Sequence, residues 1–232
     1  MKHVETITTG QKIFKFKLSE TLIDKINGKM DANILKNNTF ISKKSNIINE
    51  NESPRMDYIS SINHEYRILD WIGDIDNESE IKKCITHVYN NSDFDQKENF
   101  DLISINMHDA WISDQVEGEY QVVHRHSGYS EIGFACVLYL LIPDFGKPFS
   151  ETEVNTNGML TFVGNSNGLF ANKNHTIFPS KGDLYIFPYD IHHSVYPFRG
   201  DGVRRSMSIN FDVNHVRQGY DSKQRVNYYE ER

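Results

Sequence analysis

Cysteine is scarce in this chain. Among 232 residues there are two, Cys84 and Cys136, and no C-x-x-C. That count excludes a disulfide scaffold and a zinc ribbon. Both cysteines lie among apolar neighbours and read as small buried hydrophobes. Long hydrophobic runs are missing too: no window approaches the roughly 20 residues of a membrane-spanning helix. The start, M-K-H-V-E-T-I-T-T-G, lacks the apolar stretch of a secretory signal. The expected setting is therefore cytoplasmic, with no membrane partner. Positive charge is in short supply, with 25 Lys and Arg against 32 Asp and Glu and a net charge of −7. A protein that binds by neutralising phosphates is usually basic. A protein side chain or a small molecule is thus favoured over nucleic acid as substrate, and self-association is compatible with the sequence. No period of twenty to fifty residues repeats, which argues against a solenoid.

What is present is a core-forming complement of 38% hydrophobic and 12% aromatic residues, enough for one large domain. Lys12–Lys17 (K-I-F-K-F-K) alternates apolar and basic residues, as a strand does. Ser19 is a helix cap, and Leu22, Ile23, Ile26, Met30 and Ile34 then recur at helical spacing, predicting a helix over 20–35. Residues 37–55 are rich in Asn, Ser, Lys and Glu and read as a loop, with Ile41, Ile47 and Ile48 as anchors. Tyr66, Ile68, Leu69 and Trp71 are expected to pack on the core. A second helix begins near Ser79, with Ile81, Cys84, Ile85 and Val88 as its apolar stripe.

From Asp101 the pattern changes to short runs separated by turn residues: 102–111, 120–126, 132–142, 159–163, 175–178, 183–187, 193–196 and 204–213. Such spacing argues for a sandwich or jelly roll. The expectation is a mainly β protein in one domain over 1–232. Residues 1–100 form a helical and loop part that supports a double-stranded core over 101–215, and 216–232 form a polar tail.

The stretch from Gly118 to Asn210 carries the chemistry. It opens with G-E-Y-Q-V-V-H-R-H (Gly118–His126), passes through I-F-P-Y-D-I-H-H-S-V (Ile186–Val195), and ends with R-R-S-M-S-I-N (Arg204–Asn210). Residues i and i+2 of a strand share a face, so His124 and His126 project together. A third imidazole from His193 can meet them, since imidazole binds iron, zinc, copper and nickel. His192 faces the other way, and His3, His64, His87, His108 and His175 read as structural or exposed. Arg204, Ser206, Ser208 and Asn210 alternate on a later strand. The planar fork of Arg204 suits a carboxylate, while Arg205 faces away and reads as a surface residue.

These residues resemble the iron(II)- and 2-oxoglutarate-dependent oxygenases, whose fold is the double-stranded β-helix, or jelly roll. The pattern runs from Tyr120 through His124-Arg125-His126, Tyr139-Leu140 and Phe187-Pro188 to His193-Ser194-Val195 and Arg204-Arg205-Ser206. It is most similar to a subset with H-x-H, from bacteria and tailed phages, and spans about 115–213. The resemblance implies Fe(II) held by His124, His126 and His193. It implies 2-oxoglutarate anchored by Arg204 with Ser206 and Tyr139, and oxidative decarboxylation coupled to hydroxylation of a substrate. The usual second ligand of the wider family is Asp or Glu, where this chain has His126. Direct ligation by His126 stands first, with Glu131 as a substitute carboxylate or an open position as alternatives. The loops 143–158 and 164–174 are expected to rim the site, with Trp111, Tyr129, Phe134 and Phe170 as candidate lining.

Two other functions fit the same residues. One is a non-catalytic jelly-roll binding or virion component with a residual metal site. The other is a cupin-like three-His metalloenzyme that uses no 2-oxoglutarate. Folds of this kind host all three, and Arg204 with Ser206 separates them.

Overall fold

The structure is a computed structural model that describes residues 2–8, 11–37, 60–75, 80–92, 100–130, 132–146, 155–164 and 174–217. The elements are β1 (Lys2–Thr8), β2 (Lys12–Lys17), α1 (Glu20–Asn37), β3 (His64–Arg67), α2 (Leu69–Ile75), α3 (Glu80–Asn91), β4 (Phe100–Gln115), β5 (Gln121–His124), β6 (Gly133–Leu141), β7 (Leu160–Val163), β8 (Asn174–Ile177), β9 (Asp183–Pro188), β10 (His192–Val195) and β11 (Arg204–Arg217). The strands form a seven-stranded sheet in the order β1-β2-β9-β6-β11-β4-β3 and a four-stranded sheet in the order β5-β10-β7-β8. The described pairings are antiparallel throughout. This is the expected mainly β jelly roll.

Helix α1 starts where its capping residue predicts. The Leu22 amide donates to Ser19 Oγ at 3.3 Å, which satisfies one of the orphan amides of a first turn. The Ser19 amide and hydroxyl both donate to Glu80, the first residue of α3. One serine thus caps α1 and ties it to α3. Ile23, Ile26 and Met30 of α1 join Ile81, Cys84, Ile85 and Val88 of α3 against Met207, Ile209, Phe211 and Val213 of β11. Fully burying such a side chain stabilises by about 1.5–3 kcal/mol. The opposite face of β11 carries Arg204, Ser206 and Asn210, all buried. A second apolar cluster, including Tyr139, Phe162, Tyr185 and Phe187, fills this inner side.

Strand β11 pairs with β4 from Arg204 opposite Gln115 to Asn210 opposite Asp109, then resumes with Phe211 opposite Met107. His108 is the extra residue of a β-bulge at that point.

All eight strands expected beyond Asp101 form, as do both helices and the strand Lys12–Lys17. Several expectations need correction. The first hundred residues also supply β1, β2 and β3 to the large sheet, so they extend it as well as support it. Leu69 begins α2 and is 39% exposed, whereas Tyr66 and Ile68 are buried. Arg205 is buried rather than on the surface. Strand β11 continues to Arg217, two residues into the expected tail. Ile41, Ile47, Ile48, Glu131, Phe170, half of the rim loop 143–158 and most of the rim loop 164–174 lie outside the described residues. Among the described residues, no helix is long and apolar enough to cross a membrane.

Candidate metal centre and co-substrate pocket

His193 stands in β10 directly opposite His124 of β5, so cross-strand pairing brings two imidazoles to one spot, their ring centroids 4.2 Å apart. His126 reaches the same spot differently. Strand β5 ends at His124, and His126 lies beyond it, its amide donating to the Tyr189 carbonyl at 3.0 Å. The His126 ring lies parallel to that of His193, with 2° between the planes. One ligand atom from each of the three histidines falls within 4.8 Å of the others. An ion with bonds of about 2.0–2.1 Å spans such a set after modest ring rotation.

The tautomers follow from the outer contacts. His124 Nδ1 lies 2.8 Å from the Val122 carbonyl, and His193 Nδ1 lies 3.1 Å from the Ile191 carbonyl. A carbonyl only accepts, so both Nδ1 atoms carry the proton and both Nε2 atoms present a lone pair. Burial, and then His124, hold the pKa of His126 down to about 3, with nearby Asn210 acting the other way. His193 is pushed well below its ordinary value, first by burial, then by His124 and His126. Neutral imidazoles with converging lone pairs are what a metal requires.

On the same inner face, Arg204 is 2% exposed. Its Nη1 donates to the Gly158 carbonyl at 2.8 Å, and its guanidinium lies 5.4 Å from the Tyr139 ring centre. Its Nε has no hydrogen-bond partner, nor does the hydroxyl of the fully buried Tyr139. Among the described residues no carboxylate pairs with Arg204. Burial lowers its pKa, with Tyr139 acting the other way. Burying a cation without a counter-charge costs several kcal/mol, so an anion bound beside Arg204 would be stabilising. A single cavity connects it to the histidines, lined also by Trp111, Ser113, Ser206 and Ser208.

The six residues singled out by sequence, His124, His126, His193, Arg204, Ser206 and Tyr139, therefore fall in one region, on facing walls of the barrel. Of the candidate lining, Trp111 borders the cavity and stacks on His126. Tyr129 is exposed, and Phe134 packs in the helix-side core. Sequence reasoning missed Gln115, which is 1% exposed opposite Arg204 with Oε1 unpartnered. The alternation Trp111, Ser113, Gln115 on β4 was the signal that could have found it. His108, read as incidental, lies 3.3 Å from the Tyr189 hydroxyl and 3.6 Å from Asp212 Oδ1.

Residues 109–210 match the model of the family described as "Putative 2OG-Fe(II) oxygenase". Over that stretch the chain is similar to the 2OG-Fe(II) oxygenases. The description of that family names an oxygenase with Fe(II) and 2-oxoglutarate. Solved structures with this fold include a Pseudomonas putida prolyl-4-hydroxylase, at 13% identity and a TM-score of 0.52, covering 87% of this chain and 92% of that one. A Trichoplax adhaerens prolyl hydroxylase in complex with a hypoxia inducible factor peptide fragment has a TM-score of 0.55 at 14% identity, covering 88% and 84%. The non-heme alpha ketoglutarate dependent epimerase SnoN of nogalamycin biosynthesis has a TM-score of 0.56 at 11% identity, covering 88% and 78%. No curated protein matches the sequence.

Proposed function

We propose that this chain is an oxygenase that hydroxylates a protein side chain or a small molecule, with His124, His126 and His193 as the iron ligands. In this reading Arg204, helped by Ser206 and Tyr139, anchors the distal carboxylate of 2-oxoglutarate. The observation that carries it is the buried Arg204, which has no carboxylate partner among the described residues, in the same cavity as three converging imidazoles. Bound iron with 2-oxoglutarate would supply the oxidising chemistry, in which dioxygen is the oxidant: one of its oxygen atoms goes to succinate as 2-oxoglutarate loses carbon dioxide, and the other to a substrate C–H bond. The chain's own part is to bind, orient and exclude water. The guanidinium and the Tyr139 hydroxyl receive an anion in a water-poor pocket, where charge-assisted hydrogen bonds are strong. Trp111 gives the cavity an apolar wall beside His126.

Three neutral ligands leave the metal one charge more positive than two histidines and a carboxylate do. A protein substrate is supported by the peptide held by the Trichoplax neighbour and by the acidic net charge. Hydroxylation is the default outcome, although the epimerase neighbour indicates that the fold hosts others. We also assign the chain to one domain and to the cytoplasm. A three-His enzyme without 2-oxoglutarate, or a non-catalytic jelly roll, would leave Arg204 buried with no anion to meet, and both rank below.

The test is an anaerobic titration of Fe(II)-loaded protein with 2-oxoglutarate, following the visible charge-transfer band. A band in the wild type that vanishes in Arg204→Ala is expected. Bound iron with no band in the wild type would overturn the co-substrate assignment.

A further inference from the structure

We infer that Asp212 is a positioning residue for His126, acting through the loop that follows β5 and through Tyr189; this rests on the ligand assignment proposed above. His124 and His193 sit in paired strands, and the sheet fixes their backbones. His126 has no such support, since β5 stops two residues earlier. Its backbone amide is held by the Tyr189 carbonyl at 3.0 Å. What holds Tyr189 and the loop is a carboxylate on β11. Asp212 is 5% exposed. Its Oδ1 accepts from the Tyr189 hydroxyl at 3.1 Å, and its Oδ2 accepts from the Tyr129 amide at 3.1 Å. The Tyr189 amide in turn donates to the Gly133 carbonyl at 3.1 Å. One side chain thus clamps both the turn that receives His126 and the loop that carries it.

Two glycines make the clamp possible. A Cβ on Gly128 would stand 1.9 Å from Asp212 Oδ1, and one on Gly133 would stand 2.1 Å from the Tyr189 ring. Both distances lie far inside van der Waals contact, so the loop approaches the carboxylate only because these positions lack side chains. Asp212 stands two residues beyond Asn210 on the inner face of β11. The strand that presents Arg204 to the anion pocket therefore also fixes the third metal ligand.

The test uses Co(II) as probe, with its dissociation constant and visible spectrum measured for the full chain and thermal unfolding followed in parallel. Asp212→Ala and Tyr189→Phe are expected to weaken Co(II) about 10- to 100-fold, the range of outer-shell changes, and to shift the spectrum toward that of His126→Ala. Asp212→Asn, which can still accept from the Tyr129 amide and donate to Tyr189, is expected to restore binding. Gly128→Ala, which displaces the carboxylate without touching it chemically, is expected to copy Asp212→Ala. In the Asp212→Ala/His126→Ala double variant, the loss of affinity is expected to equal that of His126→Ala alone. A merely structural aspartate would lower the unfolding temperature and leave affinity and spectrum unchanged. That result, or an additive loss in the double variant, would overturn the inference. If His126→Ala itself leaves Co(II) binding intact, the ligand assignment fails and this inference falls with it. If His126→Ala weakens binding and Asp212→Ala does not, only the inference fails.

Discussion

The Nε2 atoms of His126 and His193 face each other at 3.3 Å although 67 residues separate them in sequence. The Nδ1 of His193 is committed to a carbonyl, so its Nε2 presents a lone pair. Without a metal, His126 Nε2–H can donate to that lone pair; with both nitrogens deprotonated, a cation beside them takes the place of the proton. His193→Ala is therefore expected to abolish Fe(II) binding, and His124→Ala and His126→Ala to weaken it by at least about 100-fold, given that outer-shell changes alone cost 10- to 100-fold. Anaerobic equilibrium dialysis with iron analysis measures this, and wild-type affinity in His193→Ala would refute the site.

Arg204→Ala separates co-substrate binding from metal binding. Removing one partner of a buried charged pair costs about 2–5 kcal/mol, so the 2-oxoglutarate dissociation constant should rise at least about 30-fold, with Fe(II) affinity unchanged. Isothermal titration of the iron-loaded protein reads both. Loss of iron with normal 2-oxoglutarate affinity would contradict the role given to Arg204.

The same residue makes an unusual stability prediction. Without an anion the guanidinium is buried and its Nε unpartnered, so an apolar residue of similar volume removes a penalty. Arg204→Met should unfold no earlier than wild type in the absence of ligands. A saturating concentration of 2-oxoglutarate, about 100 times Kd, contributes about 2.7 kcal/mol and should raise the wild-type Tm by roughly 5–10 °C. That rise should vanish in Arg204→Met. Differential scanning fluorimetry with and without 2-oxoglutarate tests both halves.

Arg205, the next residue, behaves in the opposite way. It donates to both Asp114 oxygens at 2.7 and 2.8 Å and to Asp31 of α1 at 2.7 Å. These carboxylates raise its pKa despite burial. Arg205→Met leaves Asp114 buried and unpaired, which costs about 3–5 kcal/mol. Chemical denaturation should show that loss, while the surviving folded fraction binds 2-oxoglutarate normally. Adjacent arginines thus divide ligand binding from stability.

Acid should weaken the metal-free fold. The folded-state pKa of His126 is depressed to about 3, mainly by burial, and that of His193 lies well below the ordinary value for the same first cause. Below the unfolded value of about 6.5, protons bind the unfolded chain before the folded one. The stability these imidazoles contribute is complete above about 6.5 and drains away as pH falls toward 3. Thermal melts in a chelator should show Tm falling from pH 7 to pH 5, and falling less steeply in His126→Gln. A flat profile would argue that both rings are solvated.

The jelly roll was legible, and the six candidate residues could be placed near one another, because strand alternation is local. One residue decides its face by counting in twos, and Arg204, Ser206 and Asn210 obeyed. His126 met its partners although the count does not apply to it, since β5 ends before it and a turn held by Tyr189 delivers it. Arg205 was misread because an odd position on β11 faces the helices, and its guanidinium is received there by Asp114 and Asp31, 91 and 174 residues away. Asp212 and Tyr189 could not be read at all. Their link to His126 runs through a backbone carbonyl and two glycines, none of which leaves a periodic signal.

The bulge at His108 divides β4 into two halves. From Asp109 to Gln115 the strand stays in step with Arg204–Asn210, so the metal and anion pockets keep their wall. Beyond the extra residue the count shifts by one, until a second irregularity, with Asn214 opposite Ser104 and His215 opposite Leu102, shifts it back. His108 also lies against Tyr189 and Asp212. A single-residue deletion there would therefore disturb the clamp on His126 together with the register of the first half of β4, so the irregular joint of the strand and the delivery of the third imidazole are coupled.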